Sequence, residues 1–277
     1  MHTEAVSSDL ALRIENTEVA AWVDMYQAIP ADYARQFGFE LFDLAGLVLT
    51  RCKAIPFVHF NCVKNLGLGQ PATEAKLDEA LRLYAQGGVT QFSIVLGPAN
   101  QPPGLTQWLA ARGLSAKGSW DRIFRAGTQV PAFRSGEPLD YAIEEVNAGT
   151  TARWTGFIDK TYGMPTGPWL AALVGRAGWH HYLLSRAGQD VCARSLFIAN
   201  GHTAWLCIDA PVPGVMGPSF DDDARLCQVM VNDTLRKGVD LIAADIEAPS
   251  QDVNAPAYRN FSALGFQRAY LRQLFSH

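Results

Sequence analysis

The sequence has no apolar run of the ~18–20 residues that a membrane span requires, so no membrane partner is expected. It also lacks any cluster of Lys and Arg. Its 23 basic residues are scattered among 27 acidic ones, for a net charge of −4, which leaves nucleic acid without an electrostatic footprint. Cysteine is sparse and odd in number: Cys52, Cys62, Cys192, Cys207 and Cys227 show neither disulfide nor metal spacing and read as reduced, buried small hydrophobes. No Gly-x-Ser-x-Gly turn, Cys/His zinc spacing or P-loop occurs, so no metal is expected. The opening MHTEAVSSDLALRIENTE carries acids where a signal peptide would carry basic and then apolar residues, which makes the cytoplasm the expected compartment. What remains is 277 residues, 48% hydrophobic and 18% charged. That is enough for one large core or two domains of ~140 residues.

One pattern occurs twice. Residues 57–97 read as an apolar run, a Gly-rich loop, an amphipathic helix ending in Gly-Val and a second apolar run; residues 204–246 repeat that order. The helix-ending glycines, Gly88 and Gly238, lie 150 positions apart. A later pair, Gly113 and Gly265, closes the helices LTQWLAARGL and NFSALGF at an offset of 152. Near-equal offsets in the same order point to duplication of one α/β unit of about 130 residues. The linker-like segment GTQVPAFRSGEP, residues 127–138, separates an N-terminal domain over 1–126 from a C-terminal domain over 139–277.

Periodicity predicts a helix over Glu18–Ile29 stopped by Pro30, a hairpin of Phe37–Leu44 with Leu47–Cys52, and a strand over Phe57–Val63. Thr73 is the expected N-cap of the first repeated helix. In the second half, a hairpin turns across AGQD, and the helix ending at Gly238 opens on Ser219 and Asp222 in a capping-box-like start.

This order resembles the GNAT superfamily of acyl-CoA-dependent N-acyltransferases, most specifically in NAPAYRNFSALGF, where Asn254, Ala257, Leu264, Gly265 and Phe266 fit the family's C-terminal pattern. The resemblance covers nearly the whole chain as two tandem copies, an arrangement similar to that of bacterial tandem-GNAT proteins such as mycothiol synthase. It implies an α/β fold of two GNAT-like units, each a mixed central sheet flanked by helices. It further implies acetyl-CoA or another acyl-CoA as donor and a small-molecule amine as acceptor; a homo-oligomer stays open. In the family the fourth and fifth strands splay to admit the pantetheine arm. The pyrophosphate rests on a loop written Arg/Gln-x-x-Gly-x-Gly/Ala before a helix, and a tyrosine four residues before the terminal Gly-Phe glycine protonates the leaving thiolate.

The two copies keep different parts of this apparatus. In the C-terminal copy Gly214 and Val215 stand where the family has Arg and Gly, and the helix opens with Asp221, Asp222 and Asp223. Acids stabilise a helix start, but each opposes a phosphate at ~6 Å by about 2–3 kcal/mol at an effective dielectric of ~20. Phe261 occupies the tyrosine position, and Tyr258, one turn earlier, is the substitute acid or a packed amphipathic ring. The N-terminal copy reads Lys64-Asn65-Leu66-Gly67-Leu68-Gly69-Gln70, the family's loop with lysine for arginine. Lys64, Gly67, Gly69 and Gln70 are therefore the expected cofactor-binding residues, the alternative being a plain tight turn. Catalytic candidates are His59, as base or as core histidine, and Tyr258. Trp154, Trp169, Trp179 and Tyr162 either wall an acceptor pocket or pack the core. Three readings follow: an acyl-CoA-dependent N-acyltransferase, a catalytically degenerate GNAT-fold protein that binds a ligand or partner, and a scaffold turned to other chemistry.

Overall fold

A computed structural model describes residues 6–55, 57–131, 140–212 and 220–277. Among these the chain divides into two compact units, one made of residues 5–122 with 269–277 and the other of residues 123–268. The division falls inside two strands, β5 (Ser115–Ala126) and β11 (Gln267–Ser276), each of which contributes residues to both units. The expected linker over 127–138 lies mostly outside the described residues.

The first unit opens on α1 (Ser8–Gln27), capped by the Ser7 hydroxyl accepting the Leu10 N–H at 3.2 Å. The helix begins ten residues before the expected one. Its buried face holds Glu15, Thr17 and Glu18 beside Ile14, Ala21 and Met25, so the apolar rhythm is interrupted where acids do the packing. The helix ends at Gln27, ahead of Pro30 as expected, and Pro30 then stands at the start of a short second helix, α2 (Ala31–Phe37). The hairpin forms as β1 (Phe39–Leu44) and β2 (Leu47–Cys52), paired from Phe39↔Cys52 to Leu44↔Leu47. The next strand, β3 (Cys62–Lys64), is only three residues long because a turn from Phe57 to Phe60 takes up the start of the apolar run. Thr73 caps α3 (Glu74–Gly87), and Gly88 closes it in the left-handed region at φ +67°. β4 (Ser93–Leu96) lies parallel to β3, and α4 (Leu105–Ala111) follows. The strand order in this unit is β1-β2-β3-β4-β11. The chain's final strand thus pairs antiparallel with β4 through Leu274↔Val95. α3 packs Leu77, Ala80 and Tyr84 against Leu49, Val63, Ile94 and Phe275.

The second unit contains β6 (Tyr141–Glu145), α5 (Thr151–Tyr162), α6 (Gly167–Ala171), β7 (Trp179–Arg186), β8 (Gln189–Ala199) and β9 (Thr203–Ala210). Then come α7 (Phe220–Arg236), β10 (Leu241–Ile246) and α8 (Pro256–Ala263). Its strand order is β10-β9-β8-β7-β6. The amphipathic α7 buries Leu226, Cys227, Met230, Val231 and Leu235 on this sheet. The matching order of elements is a mixed α/β architecture built twice. Among the described residues, however, the first half has no strand corresponding to β6. All five cysteines are free, and no helix among the described residues is long and apolar enough to cross a membrane.

Candidate functional site

In the first unit, Lys64 of the expected cofactor-binding loop lies beneath α1. Lys64 is buried, and its Nζ donates to Glu18 Oε1 at 2.6 Å while lying 4.9 Å from the centre of the Trp22 ring. Arg122 and Arg272, from β5 and β11, meet the same two acids of α1. Arg122 Nε reaches Glu15 Oε1 at 3.1 Å, and Arg272 Nη1 reaches Glu18 Oε2 at 2.7 Å. Arg122 also bonds Glu18, and the Tyr270 hydroxyl donates to Glu15 at 2.8 Å. Burial pushes the Glu18 carboxyl up, but Arg272, Lys64 and Arg122 outweigh that and hold it well below the usual carboxylate range. The Lys64 charge is thus committed to a buried network and not presented to a phosphate.

The glycine loop is equally occupied. Gly67 sits at φ +77°, and a Cβ there would lie 2.1 Å from the Gln101 carbonyl oxygen. The Gln101 N–H donates to the Gly67 carbonyl at 2.8 Å, and the Gln101 carbonyl accepts the Ala72 N–H. Glycine is required here for close approach of protein backbone. Gly69, at φ +75°, and Gln70 are exposed, with Leu12 of α1 3.9 Å from where a Gly69 Cβ would stand. His59 stacks on Trp120 with ring centres 4.8 Å apart. These five residues belong to one unit and Tyr258 to the other.

The second unit contains a cleft of about 240 Å³ where β9 and β10 part. Their parallel pairing runs only from Leu241↔Thr203 to Ala243↔Trp205, so the ends of both strands stand open to the cleft. Beside it the β8–β9 register breaks: Ser195 faces Cys207 but Ala193 faces Ala210, which leaves an extra residue on β9. Ile208, at φ +46°, takes up that bulge, a strained conformation for a β-branched residue. The bulge brings the Asp209 side chain into the cleft wall, while its carbonyl accepts the Tyr162 hydroxyl.

Asp209, Asp223, Asp245 and Glu247 line the cleft together with one cation, Arg194. The buried Arg194 Nε donates to Asp223 Oδ1 at 2.5 Å, and its Nη2 stands 3.6 Å from Asp209 Oδ2. Burial raises the Asp209 carboxyl, Arg194 opposes, and the charges of Glu247 and Asp223 add to the rise, leaving it at about 6. A carboxylate in that range is ionised at neutral pH yet basic enough to take a proton from an ammonium. Tyr258 lines the same cleft, with its hydroxyl accepting the Ser250 N–H at 2.9 Å. Phe261, at the tyrosine position of the family, lines it too, and Asn260 holds the Phe220 carbonyl at the start of α7 at 2.8 Å. Asp222 pairs with Arg186 at 3.3 Å, so Asp222 and Asp223, in the first turn of α7, serve as ion-pair partners inside the unit. Of the second glycine loop, expected over Pro211–Ser219, residues 213–219 lie outside the described residues.

Trp154, Trp169 and Trp179 are core residues; Trp154 and Trp179 pack around His181, whose Nδ1 lies 2.7 Å from Ser195 Oγ. Among the described residues no group of three or more His, Cys, Asp or Glu side chains is arranged to hold a metal ion.

The two units, each with parallel strands and a helix between them, can now be set beside known structures. A GCN5-related N-acetyltransferase from Kribbella flavida superposes with a TM-score of 0.60 at 15% identity, covering 96% of this chain and 95% of its own. The chain has the GNAT fold. A second GCN5-related N-acetyltransferase, from Sphaerobacter thermophilus, gives a TM-score of 0.56 at 15% identity over 84% of this chain and 81% of its own. A conserved protein of unknown function from Staphylococcus epidermidis gives 0.52 at 8% identity over 86% and 94%. No protein-family model matches the sequence, and no curated protein matches it either. At these identities the likeness concerns the GNAT fold and not the chemistry.

Sequence reasoning missed Asp209 and Arg194 as members of the site. Each stands in an apolar strand, and a charge inside such a run was the available signal. The bulge that turns Asp209 to the cleft has no marker in the sequence.

Proposed function

We propose that the protein is an acyl-CoA-dependent N-acyltransferase, with acetyl-CoA the simplest donor, acting on a small amine in the cleft of the second unit. The carrying observation is the Asp209 carboxylate, held at about 6 on a bulge beside parted strands of a GNAT fold. Asp209 accepts a proton from the acceptor ammonium, the freed amine attacks the thioester carbonyl, and the thiolate leaves. Tyr258 is the proton donor to that thiolate. Four carboxylates against one guanidinium favour a cationic acceptor over an anionic one. Thiol release from acetyl-CoA with a panel of cationic, neutral and anionic amines tests the reading. Release that requires a cationic amine and is lost in Asp209→Asn supports it, and release with no amine sinks it.

A second reading is a GNAT-fold protein that binds a ligand without acyl transfer. It is favoured by the acidic start of α7 and by the burial of Lys64 in the first unit. Calorimetry with acetyl-CoA separates the two: binding heat without thiol release leaves the second reading standing. Gly67→Asp is a poor probe of a donor site, since Gln101 already fills the space around Gly67.

A further inference from the structure

Among the described residues Arg194 is the one cation lining the cleft, and it sits between two acids from different elements. It rises from β8 opposite the β9 bulge, and its guanidinium lies 6.0 Å from the centre of the Phe261 ring on α8. Its side chain is 7% exposed and that of Asp223 6%, while that of Asp209 is 23% exposed. The division of the cation is uneven: a hydrogen bond of 2.5 Å goes to Asp223, and the 3.6 Å approach to Asp209 is an ion pair without one. We propose that Arg194 is a positioning residue shared between Asp223 and Asp209, and that its attachment to the first turn of α7 sets the charge state of the carboxylate facing the cleft. The inference rests on the reading of Asp209 as proton acceptor only for its catalytic meaning; the shared cation stands on geometry.

The other groups around Asp209 do not supply a competing cation. Asp223 and Cys227 face it from α7, Cys192 from β8, Tyr162 from α5, Asp245 and Glu247 from β10 and the residue after it, and Tyr258 from α8. Among these groups three are carboxyls and none is a basic side chain. Removing Arg194 therefore leaves the carboxylate among like charges. Removing the Asp223 charge does the opposite, taking away one like charge and freeing the guanidinium for Asp209.

The test is a carbon-13 NMR titration of aspartate side-chain carboxyls in the full chain, with the Asp209 signal assigned by its loss in Asp209→Asn. The wild-type midpoint is expected at about 6. Arg194→Met should raise it by about one unit or more, a tenfold or greater gain in proton affinity, and Asp223→Asn should lower it by about one unit. Opposite shifts establish the shared cation, whereas unmoved midpoints or shifts of one sign overturn it. Should Arg194→Met fail to fold, Asp223→Asn decides alone: a fall supports the proposal, and no change or a rise overturns it. This readout needs no turnover. If the midpoints shift as expected but the pH profile of thiol release does not follow them, the base assignment fails and the positioning role stands.

Discussion

In the first unit two acids, Glu15 and Glu18, meet three cations, Lys64, Arg122 and Arg272; in the second a single cation, Arg194, meets Asp209 and Asp223 at the edge of a cleft lined by further acids. Burial divides the two clusters. Every side chain of the first cluster is at most 10% exposed, and its carboxyls are held low, so all members stay charged across the physiological range. Such a network holds α1 in register and has no proton to exchange near neutrality. In the second cluster burial raises the Asp209 carboxyl, and the single cation does not outweigh it and the neighbouring acids, which leaves that carboxyl at about 6. A surplus of positive charge makes a fastener, and a surplus of negative charge beside water makes a base.

Glu18→Gln tests the fastener most severely. It leaves three buried cations facing Glu15 alone, and the expected loss is about 3–5 kcal/mol, read from urea unfolding monitored on the first unit. A loss below about 1 kcal/mol would place the network among weakly contributing surface pairs. Acidification sharpens the contrast, because Glu15 and Glu18 have lowered pKa values and their stabilisation is lost only as pH falls through them.

Asp209→Asn should slow acyl transfer by about 10²–10⁴-fold, the range of a lost general base. It should also make the fold more stable. A folded carboxyl near 6 lies above its unfolded value, so its contribution is full at low pH and disappears as pH rises through 6. Removing the charge gains about 1–3 kcal/mol at pH 8 and nothing near pH 3, measured by thermal unfolding at both. Equal stability of variant and wild type at pH 8 would argue against a forced carboxylate.

His181 offers a control inside the second unit but away from the cleft. Burial lowers its imidazole to about 4, against the opposing effect of a hydrogen bond to the Leu173 backbone. The unfolded chain takes up this proton first, so stability is full above about 6.5 and falls towards pH 4 by about 3 kcal/mol. Urea midpoints over that window should fall in wild type and flatten in His181→Asn. Tyr258→Phe is the smallest of the four. Thiol release should drop about 100-fold, the lower end for a lost general acid, with about 1 kcal/mol of stability lost as the Ser250 N–H loses its acceptor. Unchanged release would assign Tyr258 to packing alone.

Much of the fold was legible from local signals. Thr73 and Gly88 mark the two ends of α3 by capping chemistry that requires no tertiary partner. The hairpin around Gly46 and the repeated order of strand, helix and strand were visible for the same reason. The start of α1 was not, because its buried face is partly acidic and becomes intelligible only once Lys64, Arg122 and Arg272 are known to lie beneath it. The candidate site was less legible still. Tyr258 could be picked out by its place in the terminal helix, whereas Asp209 needs the bulge at Ile208 and Arg194 needs two partners distant in sequence.

By itself, the sequence determined the elements, their doubling and the absence of nucleic-acid, membrane and zinc motifs, because caps, glycines and periodicity act over a few residues. Only the tertiary structure decided what the charges do. It returned β11 to the strand beside β4, spent Lys64 on a helix and left Asp209 short of a counter-ion. The worth of a charge depends on burial and on neighbours from elsewhere in the chain, and neither is written at its own position.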